Sequence, residues 1–139
     1  MKLDREDLRK YKYNQEWIKD QTEYIEEQKS IINKLTATIS DMPKGSREVQ
    51  DSMAEKLAKL MDCVNSLLEK ILQEEEKQKQ ILDILSQVKQ PHRNVLYKNY
   101  IQGKSFVKIA DEMGYDYKYT TNLNGYALNE FDKVVEKNG

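Results

Sequence analysis

A seven-residue repeat governs what the first third of this chain can become. Tyr11, Ile18, Ile25, Ile32 and Ile39 recur at that spacing, with Trp17, Tyr24 and Ile31 one position earlier and Leu35 in the last turns. Such a series marks a helix that buries one stripe against a partner helix. Neither Gly nor Pro interrupts residues 3–42. At the α-helical rise, a helix from residue 4 to residue 39 spans about 50 Å.

The segment Ser40-Asp41-Met42-Pro43-Lys44-Gly45-Ser46 follows. Pro43 and Gly45 stop the first helix, and Ser46 is the expected cap of the next. The second helix then reads Met53, Leu57, Leu60, Val64, Leu67 and Ile71, and resumes at Ile81, Leu85 and Val88. Its steps alternate four and three, again a coiled-coil seam. Folding the chain at a turn near residues 41–46 sets Ile32 against Leu57, Ile25 against Val64, Ile18 against Ile71 and Leu8 against Ile81. Each of these pairs has the same sum of residue numbers, so one antiparallel register satisfies both seams. Ile39 is expected beside Val49, and a polar stretch brings Gln15 near Glu74 and Tyr11 near Gln78. Polar seam residues weaken a coiled coil and fix its register. Cys63, beside the seam, reads as a small apolar filler.

Composition agrees with few, long elements. Of 139 residues, 34% are charged, 38% are hydrophobic, and only 5 are Gly and 2 Pro. The mean hydropathy of -0.88 is low for a compact globule and tolerable for a helical hairpin, which exposes much surface. No apolar run is long enough to span a membrane, so no membrane partner is expected. The charged start Met1-Lys2-Leu3-Asp4-Arg5-Glu6-Asp7 does not read as a signal peptide. One cysteine excludes an internal disulfide and points to a reducing cytoplasm. Leu60, Met61, Leu68 and Leu72 widen the apolar face of the second helix beyond one seam, which predicts a homo-oligomer formed through the hairpin.

After Pro91 the pattern changes. The segment Val95-Leu96-Tyr97-Lys98-Asn99-Tyr100-Ile101 reads as a short helix with Leu96 and Tyr100 inward, ended by Gly103. Ser105 is placed to cap the next helix, whose apolar face is Phe106, Ile109, Ala110 and Met113. Gly114 allows a tight turn, Tyr115 plugs the core, and Asp116 caps a third helix that buries Thr120, Leu123, Ala127 and Phe131, with Leu128 alongside. A small residue where two helices cross, a glycine turn and a polar-fronted helix make the grammar of a helix-turn-helix. The expected fold is all-α: a long antiparallel hairpin over residues 1–88, then a C-terminal three-helix helix-turn-helix domain over residues 89–139, with a chain lacking residues 1–80 expected to fold and to bind more weakly.

In a helix-turn-helix the second helix lays its leading residues in the major groove of double-stranded DNA. The outward residues there are Tyr117, Lys118, Thr121 and Asn122, with Gly125 one turn on. Asn and Thr can meet base edges, Lys and Tyr can meet phosphates or bases, and Gly lets backbone approach closely. Arg93, Lys104, Ser105 and Lys108 are the candidate phosphate contacts. Residues 1–88 hold 15 Lys and Arg against 18 Asp and Glu, whereas residues 89–139 hold 8 against 6. That small basic excess fits modest, salt-sensitive binding to phosphates and equally an ordinary solvated surface.

The stretch from Arg93 to Phe131 resembles region 4 of sigma-70-type factors, in the form found in small phage proteins related to the ArpU-type transcriptional regulators. The likeness is carried by Leu96, Tyr100-Ile101, Gly103-Lys104-Ser105-Phe106, Ile109-Ala110, Met113-Gly114-Tyr115, Leu123 and Ala127-Leu128. The Asp41-Met42-Pro43-Lys44-Gly45 turn between two long helices also looks typical of those proteins. The resemblance implies DNA binding through the third helix, a role in phage or prophage gene control, and RNA polymerase as a candidate second partner. Asp116 stands where Ser is usual, and both cap helices. Asn124 stands where His is expected, and Gly125 lowers helix propensity; these depart from the pattern at the base contacts.

Nothing in the sequence points to catalysis. His92 is the sole histidine and has no ligand-spaced Cys or carboxylate around it, so a surface or hinge role and no metal are expected. No cofactor-binding loop is present, and Glu74-Glu75-Glu76 lies among lysines as a solvated face. The expectation is a DNA-binding regulator and not an enzyme. Two alternatives stand beside it. One is a phage DNA-packaging protein resembling small terminase subunits, which would form a ring. The other is a helical interaction protein without DNA binding, which would give no salt-dependent shift with genomic fragments.

Overall fold

The computed structural model describes residues 2–43, 45 and 47–139. The expected Ser46 cap lies outside them. The chain is all-α: among the described residues there are α1 (Arg5–Arg9), α2 (Tyr11–Ser40), α3 (Arg47–Gln87), α4 (His92–Leu96), a π-helical turn (Tyr97–Ile101), α5 (Phe106–Met113) and α6 (Tyr117–Asn138), with no strand. None of these helices is long and apolar enough to cross a membrane.

Two compact units divide the chain, one made of Met1–Glu16 with Glu76–Gly139 and the other of Trp17–Glu75. The second unit is a helical hairpin. Ile25 of α2 and Val64 and Ile71 of α3 are buried in one cluster, with Trp17, Ile18, Ile32, Leu67 and Leu68 packed on it. Gln50 donates to the Ile39 carbonyl at 3.2 Å, in the register that the sequence pairs define. Gln50 thus takes the place expected of Val49, which is 56% exposed. Cys63 is exposed and fills no gap in the seam.

The first unit departs from the division expected at residue 88. Its main core joins Leu3, Leu8 and Tyr11 to Ile81, Ile84, Leu85 and Val88, and both groups to Leu96, Ile101, Ala127, Leu128, Phe131 and Val135. Leu8, Val88, Leu96 and Phe131 have no exposure at all. The start of the chain and the end of α3 are therefore structural parts of the C-terminal body. The boundary expected at residue 88 thus cuts through this core, and deleting residues 1–80 would remove Leu3, Leu8 and Tyr11 from it. The same seam register recurs here: Gln78 donates to the Tyr11 carbonyl at 3.4 Å.

Local chemistry sets the entry into this unit. Asp4 caps α1, accepting from the Asp7 N–H while the Asp7 carboxylate accepts from the Asp4 N–H. Lys10, with ψ near zero, separates α1 from α2 where one continuous helix was expected. Arg5 then reaches α6, donating to Asp132 at 2.9 Å and to Asn129 at 2.7 Å. Between α3 and α4, Glu130 of α6 accepts from the Lys89 N–H and bonds His92 Nδ1. Burial pushes the Glu130 carboxyl up, but these bonds outweigh it and leave it below the usual range. His92 is thus a half-buried tie between the α3–α4 connection and α6.

Candidate nucleic-acid interface

Each bend of the helix-turn-helix has a local cause. Gly103 takes the left-handed conformation at φ +72, ending the segment that began as α4. The Ser105 hydroxyl accepts from the Lys108 N–H at 3.2 Å and starts α5. Gly114 ends α5 at φ +71, and the Tyr115 N–H donates back to the Ala110 carbonyl at 2.9 Å. Two residues on, Asp116 Oδ1 accepts from the Tyr119 N–H at 2.7 Å and starts α6. A second core beneath this turn holds Val95, Ile109 and Leu123, with Phe106, Met113 and Tyr115 packed on it. Ala110 is buried at 5% exposure, which lets α5 and α6 cross closely.

The inward side of α6 is as the spacing predicts: Thr120, Leu123, Ala127, Leu128 and Phe131 are all buried. Asn124, a departure from the resembled pattern, is an interior residue rather than a base reader. Its amide donates to the Tyr100 hydroxyl at 3.3 Å, while its Oδ1 is buried with no partner.

The outward side of the leading half is open. Tyr117 is 56% exposed, Lys118, Asn122 and Gly125 are exposed, and Thr121 is half-buried with its hydroxyl donating to the Lys118 carbonyl. Tyr126 and Tyr119 extend this face and were not singled out in the sequence. Tyr119 is braced edge-on against Tyr115 with ring centroids 4.8 Å apart. Beyond its chain neighbours and the backbone of its own helix, Gly125 has nothing within 4 Å of where a Cβ would stand. A helix-interior glycine costs about 1 kcal/mol relative to Ala.

The candidate phosphate contacts divide into two groups. Lys108 and Ser105 are exposed on the leading end of α5. Arg93 instead is half-buried and donates Nε to the Val88 carbonyl at 2.9 Å, fastening α4 to the end of α3. Lys104 pairs with Glu112 at 2.7 Å, and Lys98 pairs with the same carboxylate oxygen at 2.9 Å. The hydrogen bond from Lys104, then that from Lys98, holds the Glu112 carboxyl down to about 2. Two lysines and one carboxylate leave one net positive charge there, smaller than the lysine count alone implies.

Sequence reading also missed Lys12. Its side chain lies over Gly103, with Cε 3.1 Å from where a Cβ would be built. That brings a lysine of α2 to the loop before α5, a juxtaposition that residue order does not reveal. Beside it, burial raises the Tyr11 phenol above its ordinary value and Tyr97 adds to the effect. Among the described residues no group of three or more His, Cys, Asp or Glu could hold a metal ion.

No family model, curated protein or solved structure matches the chain.

Proposed function

We propose that this chain binds double-stranded DNA through the leading face of α6 and acts as a phage-type transcriptional regulator. The observation carrying the proposal is the capped turn between α5 and α6, which leaves Tyr117, Lys118 and Asn122 exposed on the second helix with Lys108 exposed on the first. A side-chain set able to meet both phosphates and base edges supports DNA over a protein groove, which would favour an apolar stripe. The likeness of Arg93–Phe131 to region 4 of sigma-70-type factors supports the regulatory part of the reading. Arg93, committed to the Val88 carbonyl, serves the fold in this account.

The hairpin unit supplies the second part of the proposal, self-association. Ala54, Ala58, Met61, Asn65 and Leu72 are exposed on α3 and, with Leu68, which also packs on the hairpin core, form a row at alternating steps of four and three. Met61 is 46% exposed and Leu72 62%. That spacing is a second coiled-coil seam, with Asn65 as its register-setting polar member, and the occupant proposed is another copy of this chain. Sedimentation of the intact protein should give a dimer or higher species, and a monomer at all concentrations would contradict this part.

DNA binding is tested by selecting bound duplexes from random and phage-host fragments, then measuring the Lys118→Glu, Asn122→Ala double variant on the best site. Binding should fall by two orders of magnitude or more, since a phosphate contact is reversed and a base contact removed. The melting temperature should hold, because both side chains are exposed. Undiminished binding in the double variant would sink the assignment to α6.

A further inference from the structure

Gly125 departs from the composition that the rest of α6 keeps. In the trailing half of that helix the exposed positions are Asn129, Asp132, Lys133, Glu136, Lys137 and Asn138, strong and weak helix formers together but no glycine. In the leading half they are Tyr117, Lys118, Tyr119, Asn122, Gly125 and Tyr126, again mixed, and only here is one of them a glycine. Exposed helix positions are expected to take good formers wherever internal packing does not decide the residue. Gly125 is the extreme case, and two internal reasons for a glycine fail there. Its φ is not positive, so the conformational freedom peculiar to glycine is unused. Apart from its chain neighbours and the backbone of its own helix, an added Cβ would meet nothing within 4 Å, so no packing partner in the protein needs the space.

What remains is a need outside the chain. Gly125 follows Thr121 by one helical turn and Tyr117 by two, between exposed Asn122 and Tyr126. We propose that Gly125 is the point of closest approach between α6 and the duplex, where bare helix backbone lies against base edges on the floor of the major groove. This rests on the DNA reading above and deepens it. Gly125 sets how far the helix enters the groove, and thereby whether Asn122 and Thr121 reach a base at all. With no side chain it makes no directional contact itself, so its role is positioning.

The proposal requires effects of opposite sign on fold and on binding. In the intact protein, Gly125→Ala should raise the melting temperature by a few degrees, as removal of a helix-interior glycine does. On a duplex selected with wild-type protein it should weaken binding on the order of tenfold, the scale of forcing a methyl group into a closed contact. Gly125→Leu should keep the thermal gain and weaken binding further. Variants that bind as tightly as wild type would overturn the inference and leave the DNA reading standing. A fall in melting temperature for Gly125→Ala would overturn it too, because the fold itself would then need the glycine. If wild-type protein selects no duplex at all, both readings fall together.

Discussion

The unit made of the two chain ends and the unit made of the hairpin middle share α2 and α3 but are held together in different ways. In the first, Leu3, Leu8 and Tyr11 from the start of the chain meet Ile81 to Val88 from its middle and Leu96 to Val135 from its end in one core. Every layer is thus contacted from several directions. In the hairpin unit the buried members are Ile25, Val64 and Ile71, and the rest of the core cluster is half-exposed. The contrast bears on where a glycine stands inside a helix, since α6 holds one and α2 and α3 hold none. The leading half of α6 can carry Asn122 and Gly125 because Phe131 and Val135 anchor its trailing half and Arg5 clamps Asn129 and Asp132.

The largest expected effect would break this comparison at its root. Leu8→Ala should cost about 2–5 kcal/mol, the range for a fully buried leucine. The loss should appear in amide exchange along α6, far off in sequence. If α6 amides keep their protection, the N-terminal segment is not part of the C-terminal body.

A smaller loss should come from Val64→Ala, about 1–2 kcal/mol from two buried methyl groups. Its exchange signature should stay in the Trp17–Glu75 segment and leave α5 and α6 unchanged. Equal deprotection of α6 would mean that the two units unfold as one.

Smallest is the electrostatic effect of Glu112→Gln, which releases Lys98 and Lys104 from their shared carboxylate. DNA affinity should rise a few-fold and the salt dependence should steepen, as expected for one more effective phosphate contact. The sign of its pH dependence follows from the lowered carboxyl. The contribution of the charged Glu112 is complete above its ordinary value of 4.5 and is lost as pH falls toward about 2. The gain from Glu112→Gln should therefore be constant through neutral and mildly acidic buffers. A gain that vanishes at mildly acid pH would show that the pairing is weaker than the geometry implies.

Much of the fold was legible because its determinants are local. Heptad spacing, Ser105 and Asp116 as caps, and Gly103 and Gly114 as turns act within a few residues of themselves, and each acts in the structure as read. The division of the chain was not legible. Tyr11 carries the same heptad spacing as Ile25 and Leu8 the same pairing register, and nothing local says that they meet Phe131 and its neighbours as well as a seam residue. The face of α6 could be read from helical periodicity. The fates of its supporting cations could not, since a lysine paired with Glu112 and an exposed one such as Lys108 look alike in sequence. Arg93 and Asn124 make the same point: their roles are set by the Val88 carbonyl and the Tyr100 hydroxyl, which only the folded chain brings near.

One titration bears most directly on the claim that α6 reads the duplex. Backbone amide shifts of the intact protein should be followed as a selected duplex is added at low and at moderate salt. The account predicts the largest changes at Tyr117, Lys118, Thr121, Asn122 and Gly125, with weaker ones at Ser105 and Lys108 and little along residues 17–75. Changes centred on the hairpin, or none anywhere at a concentration that shifts the duplex in a gel, would contradict it.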